Sequence, residues 1–594
     1  MPLTRDLMTA ARRGPARATL TLTAAAALAV TLVSAGPPAE ARAALARTGG
    51  LAGNAAVSAL KIPPPRHHGT LRIAGSLRDG GTVRAAGLSW RPGRLPPGDR
   101  LLSFEVGYYW DACTAAGKCT AGAGTTVTPF AARRYVVGHA DTSRFLKVTE
   151  TASEVVETSP ATFAFSVKSV SVSTTASRTV RAYPAGRSPV GGFVNGTPER
   201  RTASAEEYFS VAAPHYRAAD GPAAQRYRLD HGPWRPLSAT GVFYTGKLRT
   251  GRHRVAVRTA DQAGATTARF TWRVVRLPAP LRCQPAPGRR CWYPPHLDAT
   301  GHPMRWDWQI GRVTPLRRTG AHAVDIYDID GFLTTPAEVR ALHTRWQAAT
   351  LPHPKAVCYL DLAWEDYRPD GTPGQYFPAA TLGNVYYGYP QERWVDFRQL
   401  GALKPMLDER IRMCAAKGFD AVELDDIDSF DPPSTTGFHL TPGDAQNYLA
   451  YAFNEIHRYG MTGLWKNSPL LSWWGRRYTE GAVVEECYLY QCFAAQLRGS
   501  SQYGITCTGL SGKTPCGWDD FSTDRTTAQP SGKWVGEAEY GADHYVCNPG
   551  QSCPPKRRFA TFCRVVYAPP GGFSAVKFDV DLNGKMFYPC PRGI

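Results

Sequence analysis

From Thr70 to about Ser173, apolar and polar positions alternate in short stretches such as Leu71-Arg72-Ile73-Ala74 and Thr162-Phe163-Ala164-Phe165-Ser166-Val167, with turn residues between them. Period-two alternation puts every second side chain on one face, which is the pattern of half-buried strands. Residues 67–175 therefore predict an all-β sandwich. The same pattern returns over 203–276, where Arg226-Tyr227-Arg228-Leu229-Asp230-His231-Gly232-Pro233-Trp234 predicts strand, turn and strand. From about Met304 the pattern changes to short apolar runs separated by helical stretches, which is βα repetition. Eight strands are predicted, at 306–310, 323–329, 356–362, 421–427, 462–466, 482–487, 534–540 and 575–580. Helices are predicted at 336–348, 403–417 and 442–459, the last opened by Thr441-Pro442 as N-cap and first helical residue. Eight strands in about 290 residues match a (β/α)8 TIM barrel over 301–594.

The ends of the chain and its cysteines place it in an exporting context. Arg5, Arg12, Arg13 and Arg17 precede an apolar run from Ala18 to Ala35, and Ala41-Arg42-Ala43 offers a cleavage site, so residues 1–43 predict a signal peptide. Residues 44–66 are rich in Ala, Gly and Pro and predict a linker. Ten of the 14 cysteines fall in local pairs: Cys113/Cys119, Cys283/Cys291, Cys487/Cys492, Cys507/Cys516 and Cys547/Cys553. Cys358/Cys414 and Cys563/Cys590 remain. Hairpin-like spacings of this kind suit disulfides in a secreted protein, and the close Cys/His clusters of a zinc site are missing. Residues 277–300 form a Pro-rich, Cys-stapled linker. No metal and no cofactor is expected.

A net charge of +20 suggests nucleic acid, but its distribution argues otherwise. Residues 301–594 hold 29 Lys+Arg against 32 Asp+Glu, a net of −3, and residues 1–300 hold 40 against 17, a net of +23. The C-terminal half is therefore unsuited to a polyanion. The basic half is most simply a solubilising surface, and it offers contact with an anionic cell wall or glycan. No nucleic-acid motif accompanies the charge, no membrane span follows the signal peptide, and a monomer is expected.

In a (β/α)8 barrel the reacting groups sit at the C-terminal ends of the strands. Here those ends are acidic: Asp325-Ile326-Tyr327-Asp328-Ile329-Asp330, Trp364-Glu365-Asp366, Glu423-Leu424-Asp425-Asp426-Ile427-Asp428, Glu485-Glu486 and Glu537-Ala538-Glu539-Tyr540. Carboxylates converging on one mouth are what glycosidic cleavage needs, one to protonate the leaving oxygen and one to attack or stabilise the anomeric carbon. Alternation places Glu423 and Asp425 on one face of the fourth strand, with Asp425 nearer the catalytic end. Glu485 and Glu486 point opposite ways, so only one faces the mouth.

Several strings carry a resemblance. Trp306-Asp307-Trp308-Gln309, Val324 to Phe332, Cys358-Tyr359-Leu360 with Glu365 to Asp370, Glu392-Arg393-Trp394-Val395-Asp396, Lys417 to Asp428 with Thr436-Gly437-Phe438, Lys466-Asn467 and Glu539-Tyr540 follow, in order, segments of glycoside hydrolase family 114. The family comprises endo-α-1,4-polygalactosaminidases. The resemblance implies an exported TIM-barrel hydrolase that cuts α-1,4-linked galactosamine polymers internally with retention. Its catalytic Asp falls on Asp425 as nucleophile and its Glu on Glu485 as acid/base, with Glu486 a rival one residue away. Leu424 and Asp426 stand where the family has Pro and Asn, and Leu360-Asp361-Leu362-Ala363 lacks its Ser-Ala-Gly. Upstream, Tyr108-Tyr109-Trp110-Asp111-Ala112-Cys113 and Gly251 to Asp261 resemble bacterial immunoglobulin-like modules.

Around the pair, Asp328, Asp330, Trp308, Trp364, Glu423, Asp428, Lys466, Glu539 and Tyr540 are the expected substrate-binding residues. For the acids the competing role is hydrogen bonding to loop amides, and for the tryptophans it is core packing. Two other readings remain open: hydrolysis of a different α-linked polysaccharide, and glycan or cell-wall binding by an inactive barrel.

Overall fold

The computed structural model describes residues 63–591, apart from 96–99, 122–124, 127–132, 160–163, 195, 287–289, 312–313, 346–350, 352, 366–367, 369–376, 379–380, 387–388, 431–435, 491–517, 541–558 and 567–571. The expected signal peptide, most of the first linker, Asp366 and the pairs Cys507/Cys516 and Cys547/Cys553 lie outside the described residues. Within them, no helix is long and apolar enough to cross a membrane.

Two all-β units come first. In one, the strands Arg66–Gly75, Thr82–Arg91, Arg134–Val136 and Thr125–Thr126 form one sheet, and Cys119–Ala121, Arg100–Cys113, Phe145–Ser159 and Ala164–Thr179 form another. Leu71, Val83, Trp110, Tyr135, Leu146 and Val148 from both sheets pack into one core. In the second unit a five-stranded sheet (Arg201–Thr202, Gly264–Val274, Gly251–Asp261, Ala224–Leu229, Arg235–Pro236) faces a three-stranded one (Val242–Tyr244, Tyr208–Val211, Phe193–Val194). Phe209, Phe243, Val255, Val257 and Trp272 fill the space between. The strand Phe193–Val194 belongs to this unit, ahead of the run over 203–276 that predicted it.

The C-terminal part is a curled sheet of eight parallel strands in sequence order, with the short strand Tyr588–Pro589 added antiparallel to the eighth. We label them β1 (Trp306–Gln309), β2 (Ile326–Asp330), β3 (Lys355–Asp361), β4 (Ala421–Asp425), β5 (Thr462–Lys466), β6 (Gly481–Glu485), β7 (Trp534–Tyr540) and β8 (Ser574–Phe578). Such strands are covered on both faces, which is why they read as near-continuous apolar runs. Among the described residues no backbone ladder joins β1 to β8. The seam is bridged instead by the Trp306 indole, which donates to the Ser574 carbonyl at 2.5 Å, and by Gly311 N–H to the Leu582 carbonyl at 3.2 Å. The result is a TIM-barrel-like domain.

Among the described residues the longest helices on its outside are α1 (Pro336–Thr344), α2 (Leu400–Lys417) and α3 (Pro442–Arg458), with shorter ones at Ser472–Gly475, Cys487–Tyr490, Asp519–Ser522 and Phe559–Val566. Thr335 with Glu338 caps α1, and Thr441 with Asp444 caps α3, each as a reciprocal box with Pro at the first turn. Gly418, at φ 98°, ends α2 in a left-handed conformation that costs a residue with a Cβ more. The α1 helix stops at Thr344, four residues short of its sequence expectation, because Arg345 turns to an extended conformation. Between β3 and β4 a small antiparallel sheet is inserted (Trp364–Glu365, Leu382–Tyr386, Tyr389–Val395). Disulfides join Cys113–Cys119, Cys283–Cys291, Cys358–Cys414 and Cys563–Cys590. Cys487 is disulfide-bonded too.

The second β unit is seated on the catalytic domain. Ala203 N–H donates to the Asn447 side chain at 3.2 Å, Gly443 N–H to the Glu206 carboxylate at 3.1 Å and Gly401 N–H to that of Glu199 at 2.6 Å. Buried Glu207 lies beside Arg398 and Asp444. A chain beginning at residue 277 would leave these partners open. It is expected to melt at least ~5 °C below a chain beginning at residue 63, by calorimetry, since each unmade buried bond costs about 1–3 kcal/mol. The Cys358–Cys414 bridge spans 56 residues and ties β3 to α2. Replacing both cysteines by Ser should lower stability by about 2–4 kcal/mol in denaturant titration.

Candidate active site

Register determines which side chains meet inside the curl. Tyr359 on β3 is level with Glu423 on β4, and Asp361 with Asp425. Lys466 ends β5 level with Val483, two residues before Glu485 on the same face of β6. Glu485 is level with Ala538 on β7, which places Tyr540 on the same side.

These side chains converge on one ammonium group. Lys466 Nζ lies 2.7 Å from Asp425 Oδ2, 3.1 Å from Glu485 Oε2 and 3.4 Å from Glu423 Oε1, with its side chain only 1 % exposed. It sits 4.7 Å from the centre of the Trp308 ring and 5.9 Å from that of Tyr359. Burial alone would strip its proton. The carboxylates of Asp425, Glu485 and Glu423 outweigh that and hold its pKa well above that of a free lysine.

Asp425 and Glu485 are the two carboxylates of the cluster that reach solvent, with side chains 21 % and 24 % exposed. Burial pushes the Asp425 pKa up, but Lys466, the Tyr359 hydroxyl at 2.8 Å and the Asp426 N–H at 2.9 Å more than offset it and hold the group below the usual aspartate range. Glu485 is fixed by a reciprocal pair with Asn467: the Asn467 amide donates to Oε2 at 2.8 Å, and Glu485 N–H donates to Asn467 Oδ1 at 2.9 Å. The Tyr540 hydroxyl donates to Oε1. Glu485, rather than Glu486, is the one that contacts Lys466.

Beneath Asp425, Glu423 and Asp328 are both fully buried. Burial raises both pKa values, Asp328 to about 7 and Glu423 well above the glutamate range, and Asp328's charge adds to the latter, so burial favours the neutral form of each. Above, Asp361, Asp426 and Asp428 surround the outer side of Asp425. Burial and the neighbouring acids Glu365 and Asp425 lift Asp361 to about 7, and burial with Asp361, Asp425 and Asp428 lifts Asp426 well above its usual value. Burial and the charge of Glu485 lift Glu486 to about 7. Tyr386, from the inserted sheet, stacks on Trp394 at 4.4 Å and faces these acids.

Three expected binding residues have protein partners away from the lysine cluster. Asp330 accepts from the N–H groups of Phe332 and Leu333 at 2.8 and 2.7 Å and pairs with Arg368 at 2.7 Å, clamping its loop. Glu539 is on the opposite face of β7 from Tyr540, with its carboxylate accepting from Tyr488 N–H at 2.6 Å. Trp364 is buried, with Arg393 at 5.9 Å from its ring. Trp308 and Glu423 form the floor. Tyr359, Asn467, Asp361 and Tyr386 were not anticipated. Alternation on β3, whose Tyr359 and Asp361 match the spacing of Glu423 and Asp425, was the available signal for two of them. Asp361, Glu365 and Glu392 bring carboxylate oxygens within 4.8 Å of one another, a possible seat for a cation. Glu365, however, already has Arg368 at 2.8 Å and Arg410 at 3.6 Å.

The sequence profile of a family described as Glycoside-hydrolase family GH114 matches residues 289–592, the whole stretch that carries this site. The chain belongs to that family. Among solved structures, this GH114 protein is similar to Aspergillus fumigatus Ega3 in complex with galactosamine, at 21% identity over 51% of this chain and 98% of that one, with a TM-score of 0.38. It is also similar to the glycoside hydrolase domain of PelA from Pseudomonas aeruginosa, at 13% identity over 47% of this chain and 96% of that one, with a TM-score of 0.30. No curated protein matches the chain.

In a GH114 hydrolase built this way, Lys466 is what keeps Asp425 ionised. The Lys466→Met variant removes the charge and keeps the volume. Its turnover is expected to fall at least ~100-fold, the scale of losing one preorganised charged group. Burial then raises the Asp425 pKa, so the acidic limb of the pH–rate profile should move to higher pH. A profile that keeps its acidic limb would show that Lys466 does not control Asp425.

Proposed function

We propose that the chain is an exported, endo-acting hydrolase of α-1,4-linked galactosamine-containing polysaccharide, working by a retaining two-carboxylate mechanism. The observation that carries this reading is the single lysine contacting both Asp425 and Glu485. Because one nitrogen touches Oδ2 of Asp425 at 2.7 Å and Oε2 of Glu485 at 3.1 Å, those two oxygens lie no more than 5.8 Å apart. Retaining enzymes hold their carboxyls about 5–5.5 Å apart, and inverting ones about 6.5–9.5 Å.

In the first step Asp425, ionised, attacks the anomeric carbon. The glycosidic C–O bond breaks, and Glu485 gives its proton to the departing oxygen. In the second step Glu485, now a carboxylate, takes a proton from water, whose oxygen attacks the anomeric carbon and frees Asp425. Asn467 and Tyr540 orient Glu485 in both steps, and Tyr359 orients Asp425. The acids around the mouth, Asp361, Asp426, Asp428 and Glu486, crowd one another, and protonated amines on a bound polymer would relieve that crowding and draw out their charged forms. The sequence resemblance points to the same substrate. The disulfides and the N-terminal sequence support export.

The test is reducing-end release by the full chain on partially deacetylated α-1,4-polygalactosamine, beside chitosan and α-glucans. Asp425→Asn and Glu485→Gln are each expected to cut turnover by ~10³-fold or more while leaving polymer binding in place. Proton NMR of the first product should show the α anomer. Cleavage of an α-glucan in place of the galactosamine polymer would move the substrate and keep the mechanism. A β product would overturn retention.

A further inference from the structure

The second β unit carries a feature that catalysis does not use. Its five-stranded sheet turns Tyr227, Val255, Val257, Trp272 and Val274 inward to the core. Strand register places the alternate residues on the other face. Arg252 is level with Arg273, and Arg273 with Arg201. Arg226 is level with Arg258, and Ala256 is level with both Arg228 and Arg269. Arg254, level with Thr271, completes the set. Eight arginines thus share one sheet face, seven of them exposed and Arg228 half-buried over the Trp234 ring.

Among the described residues none of the eight is in an ion pair, and the other strand positions on this face are Ala, Thr and Pro, with no acid. Neighbouring strands lie about 4.8 Å apart and alternate residues about 6.7 Å along a strand, so the guanidinium groups form a dense grid. Like charges at that spacing repel one another, and the fold gains nothing from them. Two arginine-lined depressions flank the grid. One, of about 400 Å³, is formed by Arg201, Arg273, Arg276 and Thr250. The other, of about 330 Å³, is formed by Arg228, Arg252, Arg254 and His253, with Asp230 at its edge held by His253.

We propose that this arginine face is a binding surface for an anionic polysaccharide, distinct from the polymer the barrel cleaves. Guanidinium forks pair with carboxylate and phosphate groups bidentately, and a flat open grid suits an extended polyanion with charges on successive sugars. The face offers one aromatic ring, Trp234 against Arg228, and no row of rings on which successive nucleic-acid bases would stack. A polyanion lying here would be repelled by the acidic mouth, so the face tethers the enzyme and leaves the barrel free. The inference stands independently of the substrate assigned to the barrel.

The test is affinity electrophoresis of the full chain through gels containing polygalacturonate, with dextran as neutral control and single-stranded DNA as a second polyanion. Retardation by polygalacturonate and not by dextran is expected, and it should weaken steeply as salt rises from about 50 to 500 mM. Arg252→Glu/Arg254→Glu/Arg269→Glu should raise the dissociation constant at least tenfold with turnover unchanged. The milder Arg254→Ser/Arg269→Ser, checked for an unchanged melting temperature, should raise it about threefold. Unchanged retardation in both variants would overturn the proposal. Tighter retardation by DNA than by polygalacturonate, lost in the same variants, would also overturn it and reassign the face to nucleic acid.

Discussion

The catalytic mouth depends on one buried cation. Lys466 is surrounded by Asp425, Glu485 and Glu423, with Asp328 behind them. Four carboxylates around one ammonium cannot all ionise in a place that excludes water. Burial pushes the Glu423–Asp328 pair toward its neutral form, and the close contact with Lys466 favours the charged form of Asp425. One lysine thereby sorts acids of the same chemistry into different roles. Depth in the barrel, more than residue type, decides which of them favours its charged form.

Backbone strain supports the arrangement. Asp426, Asn467 and Glu486 immediately follow the last residues of β4, β5 and β6 and have φ values of 55°, 41° and 53°. None is glycine, and each left-handed residue costs of order 1 kcal/mol. The reversals come directly after Asp425, Lys466 and Glu485, the three residues that make the central contacts. They stop each strand once its charged side chain has entered the mouth, and they return Asp426 N–H to Asp425 and the Asn467 side chain to Glu485. Strain gathered on three neighbouring strands at one rim is what a site with fixed charge geometry requires.

Much of this could be read from the chain because parallel strands buried on both faces leave apolar runs, and because Thr441-Pro442 with Asp444 announces a helix start in chemistry that needs no tertiary context. Asp425, Glu485 and Lys466 stood out as charges at the ends of such runs. Glu539 shows what that reasoning leaves open. It ends a run as they do, but β7 gives the mouth to Tyr540, and alternation allows one of the two, not both. Asp330 shows a second ambiguity: a carboxylate that stops a strand can close a loop as readily as bind a ligand, and here it bonds its loop amides. Tyr386 was out of reach, because it arrives from a separate small sheet whose placement over the mouth is a tertiary fact.

The second β unit also bears on the lysine. Its Glu206 bonds the first turn of α3 at Gly443, and the Asn447 side chain accepts from Ala203. Phe453 of the same helix packs on Trp465, the residue before Lys466, with ring centres 6.0 Å apart. It also lies so close to Gly463 that a Cβ there would come within 2.6 Å of the ring. Strand β5 can approach α3 this closely only because position 463 has no side chain, so the height of β5 in the barrel follows the position of the helix. A unit with no residue in the mouth is thus joined, through one helix and one glycine, to the strand that delivers the central cation. This ties the second β unit to the geometry of the acidic mouth as well as to the arginine surface it presents.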